Sequence, residues 1–360
     1  MKRSRFPRVC VVVLNWNGRD DTLRCLESIR NLNYANHQTI VVDNGSVDDS
    51  PRLISSAFPN VTVLQNPSNQ GYAAGNNGGI LFALSRGADY VWLLNNDTLV
   101  EPEALSRLID RGESDDRIGL LSPLIRDFDF PHAVQFCGTL ADAQTKRFVT
   151  IRNREDASVK ADGHLLLLWG TALLVKSHVV RAIGYLDERY FAYQEDLDFA
   201  LRALDAGFLN VVVEDAVVYH KVAASTGVHS RLRHGLLMRN EFLLWRGRLN
   251  GETRTRYALR YLGRSLEHSL NESSQGHFEA AAGRLDGAWS AFCGDRGPWR
   301  ESRVMPPFLK AVLHYHPYFW TALLERGVRG VFADAVHRWA GWAGRSALAV
   351  QRNFSRNRSG

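Results

Sequence analysis

Val91-Trp92-Leu93-Leu94-Asn95-Asn96-Asp97 is an apolar run that stops abruptly in three small polar residues. A run of this kind, bounded by turn residues, reads as a buried strand. A carboxylate at the carboxyl end of a central strand is placed to hold a divalent cation, and the cation to hold a diphosphate. Asn-Asn-Asp is also good turn chemistry, so the stretch alone leaves both readings open. The flanking chain weighs between them.

Upstream, Val9-Cys10-Val11-Val12-Val13-Leu14 is a β-branched run followed by polar turn residues, the pattern of a buried parallel strand. Asp20 to Arg30 places Leu23, Leu26 and Ile29 at helical spacing behind an acidic first turn. Thr39 to Val42 is a second strand ending at Asp43-Asn44-Gly45-Ser46, and Asp48-Asp49-Ser50-Pro51 opens a second helix with a cap and an early proline. Val61 to Leu64 and Tyr90 to Leu94 supply two further strands. Alternation of this kind predicts a Rossmann-like half over residues 1–100. Beyond Asp97, residues 118–125, 132–140 and 146–151 read as irregular strands of a mixed-sheet insertion. Leu165 to Val175 reads as one buried strand broken by Gly170, and 211–213 and 216–219 as two more. From Leu232 onward helices dominate. The expected organisation is an α/β domain over 1–245, with halves 1–100 and 101–245, and a basic helical region over 246–360.

At 360 residues and 45% hydrophobic content, the chain can bury one large core or two. Cys10, Cys25, Cys137 and Cys293 form no C-x-x-C pair, so neither a disulfide framework nor a zinc site is implied and a reducing cytoplasm is expected. The strand after the basic N-terminus is too short for a signal segment, and Leu165 to Val175 is too short to span a bilayer. Charge is uneven: residues 1–230 carry 23 Lys/Arg against 28 Asp/Glu, whereas 231–360 carry 21 against 10. An acidic front half suits a metal-binding core, and a basic tail suits a membrane surface or phosphate groups. Nucleic acid is not among the expected partners.

Eight motifs follow one another in order. They are Asn15-Trp16-Asn17-Gly18, Val42-Asp43-Asn44-Gly45-Ser46, the Asn69–Asn77 stretch and Leu94-Asn95-Asn96-Asp97, then Trp169-Gly170-Thr171 with the apolar run to Val175. Gly184-Tyr185-Leu186-Asp187-Glu188, Tyr193-Gln194-Glu195-Asp196-Leu197-Asp198 and Tyr219-His220 complete the set. Over about the first 245 residues the set resembles the family 2 glycosyltransferases of GT-A fold, most of all the rhamnosyltransferase-type members. The resemblance implies a mixed central sheet flanked by helices, and a single displacement that inverts the anomeric centre of a nucleoside-diphosphate sugar, dTDP-rhamnose or a UDP-hexose. It also implies a glycan or lipid-linked acceptor in cell-envelope polysaccharide synthesis. Such chemistry needs a nucleotide pocket, neutralisation of the leaving diphosphate and a base for the acceptor hydroxyl.

Asp43 stands at a strand end, in the crevice where α/β sheets bind ligands, although it would equally cap the turn with Gly45 and Ser46. Asn15, Asn17, Asn44, Asn95 and Asn96 join it as nucleotide or donor contacts. So do Asn69, Gly71, Gly75 and Asn76, in a Gly-rich loop that permits close backbone approach, and Arg239, placed to reach the diphosphate. For a metal, Mg²⁺ or Mn²⁺, Asp97 is the leading ligand and His220, after Tyr219, the second by family position. Asn95 stands where the family often has the first carboxylate of Asp-x-Asp, which removes a charge from the site. Asp196, the second residue of the Glu-Asp pair, matches the family's base, with Glu195 as alternative; clustered carboxylates raise one another's pKa. Trp169, Gly170 and Asp198 are acceptor-side candidates, with Trp169 offering a face to a sugar ring. Residues 221–230 resemble a flap that closes over bound donor.

In the tail, Phe332, Val336, Trp339, Ala343 and Val350 recur at helical spacing behind an aromatic cluster, Tyr315 to Trp320. With the arginines, this fits peripheral contact at the inner face of a membrane, or packing against protein; self-association stays open. Two other classes remain. A sugar nucleotidyltransferase would carry a basic Gly-rich loop where Asn15-Trp16-Asn17-Gly18 stands. An inactive sugar-nucleotide-binding scaffold would fit Asn95 but not the retention of Asp97, Asp196 and His220.

Overall fold

The computed structural model describes residues 6–152, 164–221 and 227–315, with 320, 323 and 324. The chain falls into two compact units, 1–228 with 296–299, and 229–295 with 300–360.

The first unit is built on a mixed sheet. Strands β1 (Val9–Asn15), β2 (His37–Asp43), β3 (Thr62–Gln65) and β4 (Tyr90–Asn95) form a parallel half in the order β3-β2-β1-β4. The short β5 (Thr98–Val100) follows β4 after a two-residue turn, Asn96-Asp97. Next come β6 (Ile118–Asp127) and β7 (Val134–Phe136), then β8 (Thr139–Asp142), β9 (Phe148–Thr150) and β10 (His164–Leu167). The last two are β11 (Ala172–Lys176) and β12 (Leu209–His220). Beyond β4 the sheet continues β11-β6-β12-β5, with β11 antiparallel to both neighbours, β12 parallel to β6 and β5 antiparallel on β12. Strands β10, β8 and β9 form a separate antiparallel sheet.

The register puts the strand ends to use. Asn15 lies opposite Asp43, and Leu14 opposite Asn95, so the polar ends of β1, β2 and β4 emerge at one edge. Both faces of β1 are buried, which is why its sequence is a continuous apolar run. Val9, Val11 and Val13 meet Cys25, Leu26 and Ile29 of α1 (Arg19–Arg30) on one face. On the other, α3 (Gly71–Ser85) crosses closely through its glycines: a Cβ at Gly79 would lie 2.3 Å from Val12 Cγ1. Helices α2 (Ser50–Ala57), α4 (Ala104–Glu113), α5 (Ser177–Ile183) and α6 (Glu195–Asp205) complete the unit.

Three expectations need adjustment. Leu165 to Val175 is not one broken strand: β10 and β11 belong to different sheets, and the turn at Gly170 carries the chain between them. Residues 211–213 and 216–219 are one strand, β12, with a register shift between Val213 and Val217. The Gly-rich stretch 69–77 is largely helix, since α3 begins at Gly71; Gly75 packs on Leu14 of β1 and Gly71 against Phe191, rather than forming an open loop.

The second unit contains α7 (Arg231–Arg246), α8 (Gly251–Ser274), α9 (Phe278–Phe292) and α10 (Pro307–Tyr315). Thus α7 joins the helical unit rather than the α/β domain expected to run to 245. Gly283 and Gly287 bring α9 onto α7, where added Cβ atoms would stand 2.6 Å from Arg231 O and 2.3 Å from Gly235 O. Residues 316–319, and the expected tail stripe at Phe332, Val336, Trp339, Ala343 and Val350, lie outside the described residues, as do 222–226 of the expected flap. Among the described residues no helix is long and apolar enough to cross a membrane. None of the four cysteines is in a disulfide.

Candidate active site

Asp97 leaves β4 on the two-residue turn into β5, and the β5–β12 ladder sets His220 opposite Thr98. Lys221 N–H donates to Asp97 O at 3.0 Å and locks the turn to the strand end. As a result His220 Nε2 sits 3.4 Å from Asp97 Oδ1, both side chains 12% exposed. That Oδ1 is buried and, among the described residues, accepts no hydrogen bond.

The imidazole orientation is fixed from behind. Gln135 Nε2 donates to Asp127 Oδ2 at 2.9 Å and to His220 O at 2.7 Å, so its Oε1, 3.0 Å from His220 Nδ1, is left to accept a proton from that ring nitrogen. This assigns the tautomer with hydrogen on Nδ1 and turns the Nε2 lone pair toward Asp97. A lone pair facing an undonated carboxylate oxygen calls for a cation between them. Cis ligands on an octahedral ion with bonds of about 2.1 Å lie about 3 Å apart, close to the spacing here. The residues therefore fit a divalent ion. Asn95 stands half-buried at the end of β4, and among the described residues no side chain claims its amide. Lys221, the next residue, is paired with Asp21, its Nζ 2.7 Å from Oδ1.

The carboxylate pair lies at the start of α6. Asp196 is gripped by two backbone amides: Gly170 N–H donates to Oδ2 at 2.7 Å and Leu197 N–H to Oδ1 at 2.8 Å. Burial still raises its pKa. Glu195 is 4% exposed, and its Oε2 has no hydrogen-bond partner among the described residues. Burial, then the charge of Asp196, pushes its pKa well above the usual 4.5. The two amide donors favour the ionised form of Asp196, whereas burial and the neighbouring charge favour the neutral form of Glu195.

The approach to this pair is strained. Phe191, Tyr193 and Gln194 have φ of 66°, 70° and 74°, a conformation costing non-glycine residues roughly 1–3 kcal/mol each. The segment is held by α3: Ala73 N–H donates to Phe191 O at 3.2 Å. Gly71 leaves room for Phe191, since a Cβ there would fall 2.5 Å from Phe191 O. Tyr72 completes the tie. Its hydroxyl donates to Gly170 O at 2.6 Å, and burial, then the charges of Glu195, Asp196 and Asp97, holds its pKa far above 10. Tyr72 lies within the Asn69–Asn77 motif, but Gln135 and Asp127 lie in no motif, and none of the three carried a sequence signal for this role.

The asparagines expected at the nucleotide are largely consumed by the scaffold. Asn15 is fully buried, giving Nδ2 to Asp43 Oδ2 (2.7 Å) and Ser46 Oγ (3.1 Å), while its Oδ1 accepts from Thr22 Oγ1 (2.8 Å). Asn96 donates to Thr22 Oγ1 at 3.0 Å. Asn44 bonds Asn69 Oδ1 and Gly71 O, and accepts from Asn66 and from Gln70 N–H, tying the loop before α3 to the end of β2. Asn17 (φ 51°) accepts from Val47 N–H. Asp43, 2% exposed, does cap its turn, accepting from Ser46 N–H at 2.9 Å. Gly75 and Asn76 are buried in α3, Gly75 against Leu14.

On the acceptor side, one face of Trp169 is stacked on Phe136 at 4.3 Å and its indole N–H reaches Thr139 Oγ1. Gly170 holds Asp196 through its N–H. Asp198 is paired with Arg202 at 2.8 Å. Arg239 is wholly buried in the helical unit, where burial pulls its guanidinium down to about 10.

Residues 10–161 match the family described as Glycosyl transferase family 2, and residues 90–273 match Glycosyl transferase family group 2. The N-acetylglucosaminyl-diphospho-decaprenol L-rhamnosyltransferase of Mycobacterium tuberculosis is 32% identical over 207 residues, covering 52% of this chain and 67% of the relative. Galactofuranosyltransferase GlfT1 of Mycolicibacterium smegmatis is 28% identical over 204 residues, covering 55% and 66%. Two solved structures share the fold. One is the mannosyltransferase PcManGT of Pyrobaculum calidifontis in complex with GDP-Man and Mn²⁺ (TM-score 0.50, 18% identity, 92% of this chain and 87% of that one). The other is GalNAc-T7 with UDP, GalNAc and Mn²⁺ (TM-score 0.54, 14% identity, 76% and 55%). The chain is a glycosyltransferase of GT-A fold and belongs to glycosyltransferase family 2.

Proposed function

We propose that the chain transfers a sugar, with inversion, from dTDP-rhamnose or a UDP-hexose to a glycan or lipid-linked glycan during cell-envelope polysaccharide synthesis. The observation that carries this reading is the undonated Asp97 Oδ1 facing His220 Nε2 at 3.4 Å. A site of that form suits Mg²⁺ or Mn²⁺, held by Asp97 and His220, which would supply charge neutralisation at the leaving diphosphate.

Asp196 takes the proton of the acceptor hydroxyl. The acceptor oxygen then forms its bond to the anomeric carbon as the carbon–oxygen bond to the diphosphate breaks, and the nucleoside diphosphate departs with that electron pair. The two amide donors fix the direction of the Asp196 carboxylate, and neutral Glu195 spares it a second charge. Asn95 and the turn around Asp43 remain the contacts proposed for the nucleotide, with Asn15, Asn44 and Asn69 holding that turn and the loop beside it in shape.

The decaprenyl-diphosphate acceptor in the name of the mycobacterial relative supports a lipid-linked acceptor. A cytoplasmic chain working at the inner membrane face fits the balance of 21 Lys/Arg against 10 Asp/Glu in residues 231–360 and the exposed Phe278 and Phe308.

The test is release of nucleoside diphosphate from dTDP-rhamnose and UDP-hexoses in the presence of a polyprenyl-diphosphate-linked glycan. Wild type turns over with one donor class. Asp196→Asn loses roughly 10²–10⁴-fold in rate, the usual worth of a general base. Unchanged turnover in that variant would move the base to Glu195.

A further inference from the structure

The helical unit contains a second cluster of metal-ligating groups, assembled by two helix-capping motifs. Ser230 caps α7, accepting from Arg233 N–H at 3.2 Å. That makes His229 the residue before the cap and His234 the fourth residue of the helix, the two positions that ordinarily carry an apolar staple. Here they are imidazoles, with rings parallel to within 8° at 6.5 Å. At the end of α8, Gly276 (φ 81°) reverses the chain. His277 N–H donates to Glu272 O at 2.9 Å, and Gly276 N–H to Ser273 O at 3.1 Å. This is a Schellman turn, whose outer pair is also ordinarily apolar; here the pair is Glu272 and His277. The glycine-mediated crossing of α7 and α9 sets the two motifs side by side. All four positions that should hold apolar contacts carry metal-ligand chemistry instead.

We propose that Glu272, His277 and His229 form a zinc-type metal site within the helical unit. Ligand atoms of the three lie within 4.8 Å of one another. Glu272 Oε2 is 3.2 Å from His277 Nδ1 and 4.0 Å from His229 Nδ1. Tetrahedral zinc with bonds of about 2.0–2.1 Å spaces its ligands about 3.4 Å apart. The other carboxylate oxygen, Oε1, is already held by Arg284 at 3.2 Å, with His234 Nδ1 at 3.6 Å, which aims Oε2 at the site. His229 and His277 stack at 3.5 Å with planes 20° apart. His229, half exposed on its loop, turns its ring to converge on the ion. Two imidazoles and one carboxylate favour zinc over the hard cations that suit Asp97 and His220.

The test uses full-length protein stripped with a chelator and titrated with Co²⁺ alone, without nucleotide. The readouts are the visible absorption of tetrahedral cobalt and the bound stoichiometry by dialysis. Wild type is expected to bind one Co²⁺ per chain with the tetrahedral spectrum, displaced by Zn²⁺. His229→Ala, whose side chain is too exposed to hold the fold, and His277→Gln both lose the spectrum at unchanged far-ultraviolet circular dichroism. Asp97→Ala keeps it. Absence of the spectrum in wild type, its survival in His229→Ala, or its loss in Asp97→Ala would each overturn the site.

Discussion

Two adjacent carboxyl groups, buried Glu195 and half-buried Asp196, are pushed toward different charge states by the hydrogen bonds they accept. Asp196 has a backbone donor on each oxygen; Glu195 has a buried oxygen with none. A group whose folded pKa is raised stabilises the fold below its ordinary value and loses that contribution as pH rises through the folded value. Glu195→Gln should therefore melt with wild type below pH 4.5, the ordinary glutamate value, and above wild type at higher pH. Thermal melts across pH check this; a gap that does not widen with pH would contradict it. The sequence placed the acidic pair but not its asymmetry, because the donor from Gly170 comes from a distant strand end. The asparagines were legible as a motif, but the hydrogen bonds among them were not. Polar residues at strand ends read as ligand contacts, whereas Asn15 and Asn96 bond each other and Thr22, and Asn44 bonds Asn69 and Gly71.

At the scale of elements, α3 shows why a Gly-rich stretch misleads. Glycine disfavours helix by up to about 1 kcal/mol against alanine, so sequence favours a loop. The compensating gain is close approach to β1, visible only once the sheet exists. The neighbours Gly78 and Gly79 separate the two effects. A Cβ at Gly78 meets nothing within 4 Å, whereas one at Gly79 meets Val12 and Val42. Gly78→Ala should stabilise by up to about 1 kcal/mol through propensity, and Gly79→Ala should destabilise by about 1–3 kcal/mol through overpacking. Urea denaturation of both variants decides, and equal stabilisation would show that α3 does not lie close on the sheet. The parallel strands were readable because both faces are buried and their sequences are continuously apolar. The split of 164–176 into β10 and β11 was not, since periodicity cannot say which sheet a strand joins.

For the whole molecule, alternating strands and helices followed by helices alone announced the architecture, and the ordered motifs announced the family. The boundary of the helical unit was less legible: α7 belongs with α9 through glycine contacts that leave no hydrophobic period. The site itself depends on order at this scale, because Asp97 and His220 are far apart in the chain and are brought together by the β5–β12 ladder. The most direct measurement is a calorimetric titration of wild type and Asp97→Ala with UDP, dTDP and GDP, each with and without Mn²⁺. Wild type should bind one of the three diphosphates tightly only with Mn²⁺, and Asp97→Ala should lose that metal-dependent increment. Equal binding with and without the metal, or an Asp97→Ala variant that binds as wild type does, would contradict a metal-held diphosphate at this site.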